Sequence, residues 1–161
     1  MIKFWSYINE YAKYRPKLIK FFDTTLKSGQ IFFGKNLNNF EKNFVKKYKS
    51  KYGIAVGSGT DALLISLMAL NIQKGDEVIT AANTAIPTIS AIVNSGAKPK
   101  LVDVNDNFLM DGSKLSKSIT KKTKAIIPVH LYGKACNMKI ITKISKKYKI
   151  PIIEDCAQAQ G

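Results

Sequence analysis

The sequence predicts an α/β layer fold with a mainly parallel sheet and helices on both faces, and two observations carry that prediction. Downstream of residue 51, short runs rich in valine and isoleucine recur at Tyr52–Val56, Glu77–Thr80, Lys100–Val104, Lys124–Val129 and Ile150–Ile153. Their ends fall at 56, 80, 104, 129 and 153, a pitch of 24 or 25 residues with no repeated sequence, which is the spacing of a strand plus a crossover helix rather than of a solenoid. Between the runs, apolar residues recur at helical spacing. Leu63, Leu64, Leu67, Met68 and Leu70 mark a helix over 61–70, and Ile140, Ile141 and Ile144 mark another over 137–148, with lysines on its other side.

Two further segments complete the alternation. Residues 87–95 open with Pro87, which suits a first helical position, and residues 113–119 form a shorter helix. Upstream, residues 10–27 and 36–51 read as two lysine-rich helices separated by Gly29-Gln30-Ile31-Phe32-Phe33-Gly34, an aromatic loop bounded by glycines. The expected organisation is therefore a helical arm over 1–51 and a sheet domain over 52–161. Phe32 and Phe33 are expected to pack against the domain or a second subunit.

Composition narrows the function classes. A chain of 161 residues with 45% hydrophobic content can bury one sizeable core. Its net charge of +15 comes from 26 basic residues of which only Arg15 is an arginine, spread over nearly every expected helix and turn. Nucleic-acid surfaces concentrate charge on one face and favour arginine, so a solvated lysine-rich surface is the expectation and a nucleic-acid partner is not. Residues 78–97 are uncharged and long enough to cross a bilayer, but Thr80, Asn83, Thr84, Pro87, Thr88, Ser90, Asn94 and Ser95 make that stretch too polar for hydrocarbon. Cys136 and Cys156 have neither the pattern of a disulfide scaffold nor the spacing of a zinc site. The N-terminal Met1-Ile-Lys-Phe-Trp lacks the apolar core of a secretory leader. A cytoplasmic protein without a metal is expected.

In an open α/β sheet, ligands gather at the carboxyl ends of the strands, and those positions here are rich in polar groups. After the first run comes Gly57-Ser58-Gly59-Thr60-Asp61, leading into a helix. The glycines allow close backbone approach, the helix end offers free N–H groups, and Ser58 and Thr60 add hydroxyls, so a monophosphate would fit. Ser58 or Thr60 also fits as an ordinary helix cap. After the last run come Glu154-Asp155-Cys156-Ala157-Gln158. A carboxylate buried there needs a cationic or hydrogen-bonding partner; a protonated pyridine nitrogen is one, while a helix cap or an ion pair is the alternative. His130, the single histidine, follows the fourth run and is expected near the site without acting as the general base.

Four motifs in order, Gly-Ser-Gly-Thr-Asp-Ala-Leu at 57–63, Gly-Asp-Glu-Val-Ile-Thr at 75–80, Pro-Val-His-Leu-Tyr-Gly at 128–133 and Glu-Asp-Cys-Ala-Gln at 154–158, resemble the DegT/DnrJ/EryC1/StrS aminotransferases over nearly the whole chain. Residues 29–34 resemble that family's N-terminal arm. The resemblance implies the large domain of fold-type I pyridoxal-phosphate enzymes. It also implies a homodimer that aminates nucleotide-linked keto sugars with glutamate as donor, in polysaccharide or glycoside biosynthesis. By the same resemblance Gly59 and Thr60, with Ser58 beside them, hold the cofactor phosphate. Asp155 pairs with the pyridine nitrogen, and Gln158 lies near the phenolic oxygen. Ala85 stands where many members place an aromatic ring over the cofactor, and Ala157-Gln158-Ala159-Gln160 departs from the common Ala-Gln-Ala-His. The family's Schiff-base lysine lies further along than the segment at 154–158, so no catalytic residue is assigned and the chain is expected to be an N-terminal fragment of its parent. A dehydratase of the same family, or a basic binding module on a degenerate fold, are the alternative readings.

Overall fold

The computed structural model describes residues 6–160; Met1–Trp5, where no leader is expected, and Gly161 lie outside them. The chain divides into two compact units, residues 1–55 and 56–161. In the first, α1 (Tyr7–Lys27) and α2 (Lys35–Tyr48) are joined by the glycine-bounded loop. Phe40, Phe44 and Tyr48 recur at every fourth position and pack along α2 with tilted rings, their centroids 6.0 and 4.5 Å apart. Phe32 and Phe33 are 83% and 87% exposed, and Phe33 adopts a left-handed backbone (φ 50°).

The first expected strand is not one. Residues 52–56 form no ladder, because no other extended segment among the described residues runs beside them. Instead the Ala55 amide donates to the Glu41 carboxylate at 2.8 Å, and Tyr52, Ile54 and Val56 all face outward. Valine and isoleucine favour a pleated surface only where a neighbour supplies it.

The second unit opens with α3 (Gly59–Ala69), whose N-cap is Ser58, its hydroxyl accepting from the Asp61 amide. A three-stranded parallel sheet follows, in the order β2-β1-β3, from β1 (Glu77–Ala81), β2 (Lys98–Val102) and β3 (Thr123–Ile127). The crossovers carry α4 (Ile86–Asn94) and α5 (Gly112–Ser118), and α6 (Met138–Tyr148) follows β3. Asp111 and Asn137 cap α5 and α6, accepting from the Ser113 and Ile140 amides. The uncharged 78–97 stretch is thus divided among β1, a turn and α4, and no helix among the described residues is long and apolar enough to cross a membrane.

The last expected strand is present only as two parallel bridges, Ile126 to Ile152 and Val129 to Asp155. The reason is covalent. Ile126 N–H donates to Pro151 O, Ile153 N–H to Ile126 O, Asp155 N–H to Pro128 O and His130 N–H to Asp155 O, each at 3.0 Å. The rung between them would need an N–H on residue 128, and proline has none. Pro128 likewise closes β3 at Ile127, two residues short of the expected end.

Order and handedness place the helices. The step from β1 to β2 runs one way across the sheet, whereas the steps from β2 to β3 and from β3 to the 152–155 segment run the other way. Right-handed crossovers therefore put α4 on one face and α5 with α6 on the other. The packing agrees, since α3 packs on α4 and α5 on α6. Gly112 sets the second contact, because a Cβ there would lie 2.7 Å from Ile140 Cγ2. Between the layers, Val78, Ile79, Ile126 and Ile127 of the strands and Leu67, Ile92, Leu115 and Ile141 of the helices are fully buried.

At the amino edge of the sheet, the Thr120 hydroxyl donates to Glu77 at 2.6 Å and Lys100 lies 3.5 Å away. The Thr120 bond first, and then the Lys100 charge, hold the Glu77 carboxyl below its ordinary value of 4.5, against the opposing effect of burial. A carboxyl lowered on folding stabilises the fold above its unfolded value, and that contribution disappears as pH falls through the lowered folded value. Acidification below pH 4.5 is therefore expected to lower the urea midpoint of the whole protein carrying this chain, and Glu77→Gln to flatten part of that dependence. An unchanged acid slope in Glu77→Gln would remove Glu77 from this role.

Candidate functional site

The reversal of strand order opens a crevice between the carboxyl ends of β1 and β3, the place where open α/β sheets bind ligands. Two segments meet there. From the β1 side come Thr84 and, in the first turn of α4, Thr88; from the β3 side come Pro128 to His130 and, hydrogen-bonded beside them, residues 154–158. Thr88 Oγ1 lies 3.0 Å from Asp155 Oδ2, Thr84 Oγ1 lies 2.8 Å from Thr88 Oγ1, and the Ala157 amide donates to Asp155 Oδ1 at 3.1 Å. Both carboxylate oxygens of Asp155 thus have a donor, as a partly buried carboxylate requires. Asp155 caps no helix and forms no ion pair within 4.0 Å among the described residues.

Gln158 is also held. Its Oε1 accepts from the Tyr132 amide at 3.1 Å, and the turn that presents this amide has Tyr132 and Gly133 in left-handed conformation (φ 57° and 74°). Ala85 is the N-cap of α4 and is exposed at the rim of the crevice.

His130 is buried beside this site and bonded at both nitrogens. Nδ1 accepts from the Cys136 amide at 3.2 Å, so the neutral ring carries its proton on Nε2 and donates it to Glu154 Oε2 at 3.0 Å. The Cys156 thiol completes a trio of donor atoms within 4.8 Å of one another. Coordination through Nε2 would need that proton removed and the Glu154 bond broken. Burial, followed by the charges of Glu154 and Asp155, also pushes the Cys156 thiol up, away from the thiolate a metal needs. The histidine and Glu154 act as a strut between the end of β3 and the segment beside it.

At the start of α3, the Gly59 and Thr60 amides meet no acceptor among the described residues, as first-turn amides do. A Cβ on Gly59 would meet no atom within 4 Å, and its φ is not positive, so neither crowding nor backbone strain within the chain demands glycine there. Free amides at a helix N-terminus are suited to an anion. The Ser58 hydroxyl, by contrast, is engaged twice with Asp61, accepting from its amide at 3.1 Å and donating to its carboxylate at 2.8 Å. Of the two cap assignments open in the sequence, Ser58 takes this one. A surface concavity of about 740 Å³ in the second unit, lined by residues such as Leu70, Lys124, Tyr148 and Pro151, lies at the amino ends of the strands, away from all of these groups.

Sequence reading missed Thr84 and Thr88 as site residues, treating them only as polar groups that exclude a membrane span. A visible signal was Thr88 itself, a hydroxyl on the buried side of a short apolar helix.

An open parallel sheet with polar side chains gathered at its switch point is the arrangement in which proteins of the α/β class bind ligands. The model of the DegT/DnrJ/EryC1/StrS aminotransferase family matches residues 13–161. A dTDP-3-amino-3,6-dideoxy-alpha-D-galactopyranose transaminase from Aneurinibacillus thermoaerophilus is 41% identical over 162 residues, which take in 100% of this chain and 45% of that protein. DesV of S. venezuelae, solved in complex with a ketimine intermediate, superposes with a TM-score of 0.96 at 32% identity, over 99% of this chain and 43% of DesV. NtdA of Bacillus subtilis, solved with bound cofactor PMP, gives 0.90 at 39% identity, over 92% of this chain and 34% of NtdA. The chain belongs to the DegT/DnrJ/EryC1/StrS aminotransferase family. It spans less than half the length of the relatives it matches.

Proposed function

We propose that the protein carrying this chain is a pyridoxal-phosphate-dependent aminotransferase that transfers nitrogen from glutamate to a nucleotide-linked keto sugar. The observation that carries this reading is Asp155, a carboxylate fixed by donors on both oxygens at the switch point of a parallel sheet. In this reading Gly59 and Thr60 offer amides to the cofactor phosphate, with Ser58 shaping the turn as its cap. Asp155 faces the pyridine nitrogen, Gln158 lies toward the phenolic oxygen and Ala85 borders the ring face. When bound, the cofactor supplies an electron sink for loss of a proton from the amino donor. The chain's own part is to hold the phosphate at a helix N-terminus and to keep a negative charge where a pyridinium charge must persist. The exposed apolar side chains of the arm, Leu18, Ile19, Phe21, Phe22, Phe32 and Phe33 among them, suit a homodimer.

The test uses the whole protein, pyridoxal phosphate, 15N-glutamate and a panel of dTDP- and UDP-linked keto sugars. Transfer of 15N to a sugar, read by mass spectrometry, is the expected result. Loss of a sugar hydroxyl without nitrogen incorporation would move the protein to the dehydratase reading. Failure to retain pyridoxal phosphate would move it to the binding-module reading.

A further inference from the structure

We infer that Thr88 is a positioning residue for Asp155, and that Thr84 acts through it, the two hydroxyls forming a relay that sets the carboxylate against the cofactor's ring nitrogen. The inference rests on the cofactor reading above and adds to it two residues and a direction of hydrogen bonding. A carboxylate can only accept, so Thr88 must donate to Asp155 Oδ2. The Thr88 oxygen is then left to accept, and Thr84 donates to it. The proton order along the relay follows from the chemistry of its end, and donors aligned in this way polarise one another.

The relay does not follow the usual habit of helical hydroxyls in this chain. Thr24, Thr25 and Ser66 each bond the carbonyl four residues back, at 2.7 Å. Thr88, fully buried in the first turn of α4, instead reaches a residue 67 positions away. That bond joins the two sides of the crevice, since Thr88 follows β1 and Asp155 lies beside the end of β3. Thr88 Oγ1 on one oxygen and the Ala157 amide on the other fix both the torsion and the plane of the carboxylate. Neither contact supplies a countercharge, so the negative charge stays available for a cation.

The test is the protonation of the ring nitrogen, read by 15N NMR in the whole protein loaded with pyridoxal phosphate labelled at that atom. Thr88→Val keeps the shape and removes the hydroxyl. It is expected to lower the midpoint at which the ring nitrogen loses its proton by up to about one pH unit, because a carboxylate free to turn away holds the ring cation less well than a fixed one, and that loss of orientation outweighs the carboxylate's gain in basicity. Thr88→Ser should restore the wild-type midpoint, which a purely structural role for the methyl group would not predict. Thr84→Val should give a smaller shift in the same direction, and it decides the matter if Thr88→Val does not fold. Asp155→Asn separates the two layers of argument. If it shifts the midpoint and neither valine variant does, the relay is overturned and the cofactor reading stands; if it also shifts nothing, the Asp155 reading itself falls.

Discussion

Asp155→Asn in the whole protein is expected to lower the rate of amino transfer by at least about a hundredfold, the scale on which loss of a preorganised charge stabiliser is felt. Retention of pyridoxal phosphate should change far less. The substitution is nearly isosteric, and the asparagine carbonyl can still accept from one of the two donors, the Thr88 hydroxyl or the Ala157 amide. What it removes is the charge that keeps a pyridine nitrogen protonated, while the amides of Gly59 and Thr60 that would hold the phosphate are untouched. Single-turnover rates with glutamate, set beside cofactor content after dialysis, check both halves of this expectation. Turnover within tenfold of wild type would remove Asp155 from its assigned role.

Leu67→Ala is expected to cost about 2–5 kcal/mol, the range for emptying a leucine site in a packed core. Leu67 is fully buried on α3, which packs against α4, the helix that carries Thr88. The cavity would open under the element that positions the site. Met68, its neighbour in sequence, is 60% exposed, and Met68→Ala should stay within about 0.5 kcal/mol of wild type. Urea denaturation of the two variants in the whole protein decides the point, and equal midpoints would contradict the assignment of Leu67 to the core.

β1 and β3 were legible because strands buried on both faces are written as apolar runs, Val78-Ile79 and Ala125-Ile126-Ile127, whereas β2 is largely exposed and shows only Leu101 and Val102 at its end. Two helices, at 61–70 and 137–148, were legible from their periodicity, the one over 87–95 from Pro87, and Ser58 as a candidate cap marks where α3 begins. Candidate site residues were legible wherever the site lies in short motifs that follow a strand, as at 57–61, 128–133 and 154–158. Residues 52–56 misled, because their composition suits a strand and composition does not report whether a partner is present. β2 begins two residues before its expected start, at Lys98, directly after Gly96 and Ala97 lead out of α4. The role of Thr88 was hidden for a different reason: its partner is 67 residues away, and no local pattern distinguishes a threonine that bonds its own helix from one that crosses a crevice.

By itself, then, the sequence determined what depends on neighbours along the chain: the period of the elements, the caps, the proline at 128 that no ladder can use, and the membership of the family through motifs that are each contiguous. Tertiary structure alone decided what depends on neighbours in space. It set the order β2-β1-β3, whose reversal creates the crevice. It fixed the proton of His130 on the nitrogen facing Glu154, and brought a threonine from the other side of the crevice onto Asp155. The physical reason is that hydrogen bonds and steric contacts act over a few ångströms, whereas the separation in sequence of the groups they join is set by how the sheet is wound.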